Sequence, residues 1–250
     1  DTIQGGGGAD SLSGGAGNDV FLVGSTTEMP GSERLDAGDG TDVLRFTSAT
    51  ANQTLVLGKL VAGLESAEIA DPGGDTTGTT RLGINASGLA SAIKLVGNDG
   101  ANALTGTNGD DTLNGNAGDD VLQGGAGNDT YLVDAGSDVT AADRIADVAG
   151  DMDTLEFAPT IVGDALVLGR SVTGIEKFVI SGTNAASLNA ALVPAGASFL
   201  GNDADNAITG TAKGDTIEGG AGTDSIIGGA GNDRIVVALD SIDEVDAGLV

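Results

Sequence analysis

Two consecutive stretches, GNAGDDVLQ from Gly115 and GGAGNDTYL from Gly124, write one nine-residue pattern twice: a glycine-rich turn, Asp in sixth place, a large apolar residue in eighth. The pattern recurs in three tracts. In the first, Asp1 to Val23, the sixth place holds Asp10 and Asp19 and the eighth Leu12 and Phe21. In the second, Gly97 to Val133, the sixth place holds Asn102, Asp111, Asp120 and Asp129, followed by Leu104, Leu113, Leu122 and Tyr131. In the third, Gly201 to Val237, it holds Asn206, Asp215, Asp224 and Asp233, followed by Ile208, Ile217, Ile226 and Ile235. A fixed short period over many copies is the mark of a stacked architecture in which each repeat buries its apolar face only against its neighbours.

Nine residues divide into a six-residue turn and a three-residue strand. Three strand residues extend about 10 Å, so two nonapeptides make one flattened coil, and all eighth-place side chains point into a thin apolar seam. Glycine in the turn supplies the positive φ values that tight reversals require. The sequence therefore predicts an all-β chain: a right-handed parallel β-roll, or β-solenoid, in short blocks joined by irregular β segments. The division is tract 1 over 1–23, a connecting segment over 24–96, tract 2 over 97–133, a connecting segment over 134–200, tract 3 over 201–237, and the start of another segment over 238–250. Within the connecting segments, Leu55–Leu57, Ala67–Ile69, Ile93–Val96, Leu166–Leu168 and Phe178–Ile180 read as strands, and Ser87–Ala92 as a single helical turn. A longer period of roughly a hundred residues, seen in Glu33-Arg34-Leu35 and Asp143-Arg144-Ile145 and echoed at Asp243-Glu244-Val245, makes the chain a tandem array expected to continue past both ends.

Charge sharpens the problem. The chain has 37 acidic and 10 basic residues, a formal charge of −27, and stacking the coils brings acids at i and i+18 onto one edge, near the ~4.8 Å strand spacing. Such pairs repel unless a cation lies between them. Hard carboxylate and carbonyl oxygens, six to eight in number, suit Ca²⁺, whereas Mg²⁺ prefers tighter octahedra that retain water. The same-edge pairs are Asn102 with Asp120, Asp111 with Asp129, Asn206 with Asp224, Asp215 with Asp233, and Asp1 with Asp19. The acidic balance gives no footing for nucleic acid or anionic membrane, and no apolar run is long enough to span a bilayer. With neither Cys nor His, the commonest general base and all thiol chemistry are missing, so no enzyme is expected. The isolated acids Glu65, Asp75 and Glu176 read as surface or strand-end residues, Arg34 and Arg144 as partners in local salt bridges.

The three tracts resemble the RTX family, the hemolysin-type calcium-binding repeat proteins of bacterial type I secretion. The resemblance implies a parallel β-roll binding several Ca²⁺ ions. One turn would offer the carbonyls of its second and fourth residues with its Asp, and the turn eighteen residues later the carbonyls of its first and third with its Asp. Carried onto this sequence, the ligand sets are Thr107, Gly109 and Asp111 with Gly124, Ala126 and Asp129, and Asn98, Gly100 and Asn102 with Gly115, Ala117 and Asp120. In the third tract they are Thr211, Lys213 and Asp215 with Gly228, Ala230 and Asp233, and Asn202, Ala204 and Asn206 with Gly219, Ala221 and Asp224. In the first tract Asp1, Asp10, Gly14, Ala16 and Asp19 fall on the pattern. Asn in the leading turns removes a charge and implies weaker sites there.

The resemblance also implies export to the cell surface or medium, with Ca²⁺-driven folding outside the cell. The leading expectation is a structural or adhesive segment of a surface protein, of S-layer or adhesin type. Its partners would be neighbouring repeat units or copies of itself, with cell-surface polysaccharide as a further candidate. A secretion-and-folding module trailing an exported enzyme or toxin is the alternative. A carbohydrate module is disfavoured by a single Tyr and the absence of Trp.

Overall fold

The computed structural model describes residues 1–147, 152–236 and 244–247. It divides into two compact units, Asp1–Asp129 and Thr130–Val250. Val237, Asp243 and most of the expected 238–250 segment lie outside the described residues.

In the first unit one face is a ladder of parallel strands, Thr2–Ile3, Val20–Val23, Val43–Phe46, Ser66–Ile69, Lys94–Val96 and Thr112–Asn114. The return strands form two further ladders. One joins Ser11–Ala16, Arg34–Asp39 and Val61–Ala62; the other joins Gln53–Val56, Leu82–Asn85, Ala103–Thr105 and Val121–Gln123. The second unit repeats the plan. Thr130–Val133, Thr154–Phe157, Lys177–Ile180, Ser198–Leu200, Thr216–Glu218 and Arg234–Val236 stack on one face. Asp164–Val167, Ala186–Asn189, Ala207–Thr209, Ser225–Ile227 and Glu244–Asp246 stack on the other, with Arg144–Ala146 paired to Val172–Thr173. Each unit is thus the all-parallel β-solenoid of the β-roll class predicted from the period.

Inward residues stack like on like. Phe21, Leu44, Ala67, Leu95 and Leu113 pair in register, each fully buried, and face a return stack of Leu55, Ile84, Leu104 and Leu122. In the second unit Tyr131, Leu155, Phe178, Phe199 and Ile217 form the corresponding stack. Phe178 and Phe199 lie with ring centroids 5.1 Å apart and 15° between planes. Burying such a side chain contributes about 1.5–3 kcal/mol, which a seam of one inward residue per strand needs.

The segments between the tracts are coils of the same stack with a wider core. Four of their strands, Val43–Phe46, Ser66–Ile69, Thr154–Phe157 and Lys177–Ile180, are buried at the second and fourth residues, so that Phe46, Ile69, Phe157 and Ile180 add a second apolar row. The expected strands there are all present, and Leu82–Asn85, Ala186–Asn189 and Ser198–Leu200 add to them. Ser87–Ala92 is not helical: it is a turn closed by Leu89 N–H to Ala86 O at 2.9 Å, since Gly88 and Ser91 favour a reversal over a helix. The short 3₁₀ turns are instead Thr26–Glu28 and Gly136–Asp138.

Candidate metal sites

Each turn carries its sixth residue two places before an inward-facing strand residue. In the GG-type turn Gly14–Asp19 the backbone is left-handed at Gly15 (φ +97°) and Gly17 (φ +108°), so a side chain is strained there. The same alternation recurs at Gly125 and Gly127, Gly220 and Gly222, and Gly229 and Gly231. Asn116 takes the second place of its turn at φ +59°, a conformation that Asn tolerates better than most residues.

The sixth-place residues form a hydrogen-bonded column. The main-chain N–H of Asn102 donates to Asp120 Oδ1 at 2.8 Å, Asp111 to Asp129 Oδ1 at 2.7 Å, Asn206 to Asp224 Oδ1 at 2.8 Å and Asp215 to Asp233 Oδ1 at 2.9 Å, each across 18 residues. Asp1 N and Asp19 Oδ1 lie 2.5 Å apart in the same relation. All five pairs drawn from the sequence are therefore brought together, and Asp19, Asp111, Asp120, Asp129, Asp215 and Asp224 are buried.

The predicted carbonyl donors also gather at these steps. A Cβ added at Gly106 would overlap both Gly124 O and Asp111 Oδ2, and one at Gly210 would lie 2.5 Å from Gly228 O and 2.7 Å from Asp215 Oδ2. Carbonyl oxygens of Gly115 and Gly219 take the same places over Gly97 and Gly201. Those of Thr107, Gly109, Asn202, Ala204, Thr211 and Lys213 face glycines of the following coil. Gly100 O likewise lies against the Cβ position of Gly118 at 2.6 Å. Ala16 stacks on Asp39, at a coil outside the nonapeptide step.

Two kinds of turn emerge. Where the second place is Thr107, Thr211, Asn98 or Asn202, the turn is closed by its own side chains, whereas Asn116 turns its amide to Gly97 O of the preceding coil at 2.6 Å. Thr107 N–H donates to Asp111 Oδ2 at 2.5 Å and Thr107 Oγ1 to Asp111 Oδ1 at 3.1 Å, while Gly109 N–H donates to Thr107 Oγ1 at 2.9 Å. Thr211 repeats this with Asp215 and Lys213. Asn98 with Asn102 and Asn202 with Asn206 make the amide version, the sixth-place Nδ2 donating to the second-place Oδ1 at 3.0 Å in both. Where the second place is Gly, no side chain is available to do this. Asp10, Asp19 and Asp233 each keep a second carboxylate oxygen that is buried and has no hydrogen-bond partner.

Burial is the largest influence on two closed turns. It pushes the Asp111 carboxyl above the ordinary aspartate range, against hydrogen bonds from Thr107 and Ile93 that lower it. Asp215 is raised for the same reason, against bonds from Ala197 and Thr211. Little cationic charge balances the column. Arg34 and Arg144, expected in local salt bridges, stand exposed on the outer face, and among the described residues the side-chain ion pair is Arg45 Nε with Glu68 Oε1 at 2.5 Å. Arg34 points outward because the strand alternation that buries Glu33 and Leu35 turns it to solvent.

Glu65 and Glu176 sit at strand ends, as expected, but they are not isolated. Glu65 Oε2 accepts from Asp42 N–H at 2.7 Å and Glu176 Oε2 from Asp153 N–H at 3.0 Å, each across 23 residues. The column thus runs through the wider coils too, and Glu33, Asp42 and Asp153, which the nine-residue step passes over, belong to it. A signal was present: an acid two residues before a buried apolar residue, as in Glu33-Arg34-Leu35, Asp42-Val43-Leu44 and Asp153-Thr154-Leu155.

An all-oxygen donor set, buried carboxylate oxygens without hydrogen-bond donors, and glycine-lined space between coils fit a hard cation of calcium's coordination habits. They do not fit a transition metal, for which imidazole or thiolate would be expected. Comparison with known families finds four copies of the RTX calcium-binding nonapeptide repeat, over residues 1–25, 96–131, 105–139 and 200–235. No curated protein matches the chain. Over those stretches the chain carries a calcium-binding structural repeat.

Proposed function

We propose that this chain is a Ca²⁺-folded structural segment of a secreted bacterial cell-surface protein, of S-layer or adhesin type. The observation that carries it is the acid column: carboxylates buried coil after coil in a chain of charge −27, with buried oxygens lacking donors. Buried charge of one sign is costly without a counter-ion, and a cation bound only by the folded form stabilises that form by mass action. Low-calcium surroundings leave the chain expanded, and millimolar calcium outside the cell folds it, in the affinity range of extracellular modules. The ligands are the donor sets given above for the second and third tracts, with Asp1, Asp10, Gly14, Ala16 and Asp19 in the first.

Tandem hundred-residue units favour the surface-segment role over a secretion module trailing an enzyme or toxin. A solenoid of stacked parallel coils suits pairing with neighbouring repeat units or further copies of itself.

Far-UV circular dichroism during a Ca²⁺ titration, with Mg²⁺ as control, tests the proposal. A cooperative coil-to-β transition selective for Ca²⁺ is expected. A full β spectrum in excess chelator sinks it.

A further inference from the structure

Building on the calcium reading of the nonapeptides, we propose that Glu33 and Asp42 are calcium ligands as well, forming two sites with Asp10 and Asp19 where the nine-residue pattern has already ended. Both residues lie outside the matched repeat stretches. Each stands one 23-residue coil beyond its partner: Asp10 N–H donates to Glu33 Oε2 at 2.9 Å, and Asp19 N–H to Asp42 Oδ1 at 2.8 Å.

Those bonds use one oxygen of each acid. The other oxygens, Glu33 Oε1 and Asp42 Oδ2, are buried and have no hydrogen-bond partner, and the same holds for Asp10 Oδ2 and Asp19 Oδ2. Glu33 is 3% and Asp42 0% exposed. Four partnerless anionic oxygens on two adjacent coils demand a positive charge.

They also converge. A Cβ added at Gly5 would stand 3.0 Å from Asp10 Oδ2 and 3.2 Å from Glu33 Oε1, so the two orphan oxygens face one glycine-sized space. On the other edge a Cβ added at Gly14 would stand 2.5 Å from Asp19 Oδ2 and overlap Ala37 O, a carbonyl from the coil that carries Asp42. The neighbouring Arg34 is exposed and supplies no counter-charge. Oxygen-only ligands of this kind select Ca²⁺.

The two ligands arrive differently. Ala37-Gly38-Asp39-Gly40-Thr41-Asp42 is a turn of the GG-type shape despite its Ala, left-handed at Gly38 (φ +105°). It is laid on Gly14–Asp19 by Gly17 N–H to Asp39 O at 2.8 Å and Thr41 N–H to Asn18 Oδ1 at 2.9 Å. Glu33 follows Pro30-Gly31-Ser32 with no such turn, and its longer side chain reaches the same column position that Asp fills elsewhere.

The test is calcium stoichiometry, by equilibrium dialysis of the 250-residue chain, for the wild type and for the Glu33→Gln, Asp42→Asn double variant. The amides keep an oxygen for the Asp10 and Asp19 N–H groups and remove the anionic charge. Two fewer ions per chain, with the calcium-saturated β spectrum retained, is the expected result. An undiminished count overturns the inference while leaving the nonapeptide sites standing, whereas a wild type that binds no calcium removes both. Should the double variant fail to fold, lanthanide-soaked crystals of the wild type decide. Anomalous peaks beside Glu33 Oε1 and Asp42 Oδ2 support the assignment, and peaks confined to the nonapeptide tracts overturn it.

Discussion

The main-chain N–H of Asp42 donates to Glu65 Oε2 at 2.7 Å across 23 residues, the bond that Asp111 makes to Asp129 across 18. One contact thus survives a change of acid, of coil length and of turn type. Its removal has a measurable cost. Glu65→Ala should lower stability by about 1–2 kcal/mol, the range for a hydrogen bond to a charged acceptor reduced for the exposed position of Glu65, and Glu65→Gln by less, since its amide oxygen still accepts. Chemical denaturation in saturating Ca²⁺ reads both. Equal losses in the two variants would mean that the charge, not the bond, matters.

Thr107 is buried, and its hydroxyl links Asp111 to Gly109. Thr107→Val should cost about 1–3 kcal/mol, because it leaves buried polar groups without their partner. Thr107→Ser should stay near the wild type. Thermal melts of the three proteins compare them directly, and an unaffected Val variant would show that the closed turn is not held by this side chain.

Burial raises the carboxyls of Asp111, Asp138 and Asp215 above the ordinary aspartate value. Between that ordinary value, kept by the unfolded chain, and the raised folded value, the folded state binds more protons. Stability from these groups therefore grows as pH falls through the window and is lost as pH rises through it. In chelator, the chain should hold more β structure near the acid end of the window than at neutral pH. Ca²⁺ affinity should move the other way, since protons compete for the same oxygens. Circular dichroism against pH, with and without Ca²⁺, checks both signs, and a chelated chain that gains structure on going to neutral pH contradicts the first.

Phe178 and Phe199 stack fully inside the second unit. Phe178→Ala should cost about 3–5 kcal/mol, and Phe178→Leu under about 1.5 kcal/mol if neighbours repack. Denaturant midpoints in Ca²⁺ give the values. A small loss for the Ala variant would mean that the seam collapses around the cavity.

The tracts were legible because one step length fixed both periodicities at once: Leu104, Leu113 and Leu122 inside, Asn102, Asp111 and Asp120 on the edges. The wider coils hid the same order because their length varies. Asp19, Asp42 and Glu65 are evenly spaced at 23 residues, but the interval after Glu65 differs, and Ile93 then occupies the column, its N–H donating to Asp111 Oδ1 at 2.7 Å. A ruler of nine residues cannot follow that. The distinction between closed and GG-type turns was also invisible as periodicity. It depends on whether the second place carries a side chain able to bond the sixth, as Thr211 does with Asp215 and Gly229 does not.

The column counts coils, not residues. Lys94 stacks on Ser66 in register although the chain between them makes a detour, where Asp71 Oδ1 gathers the N–H groups of Gly73 and Asp75 at 2.7 and 2.9 Å. Detours of this sort lengthen the chain without moving a ligand or a core residue. A foreign epitope grafted at that exposed bend would replace little more than the bond from Arg45 to Pro72 O at 3.0 Å and leave the ladder beneath it in register, which makes the solenoid a ready frame for display.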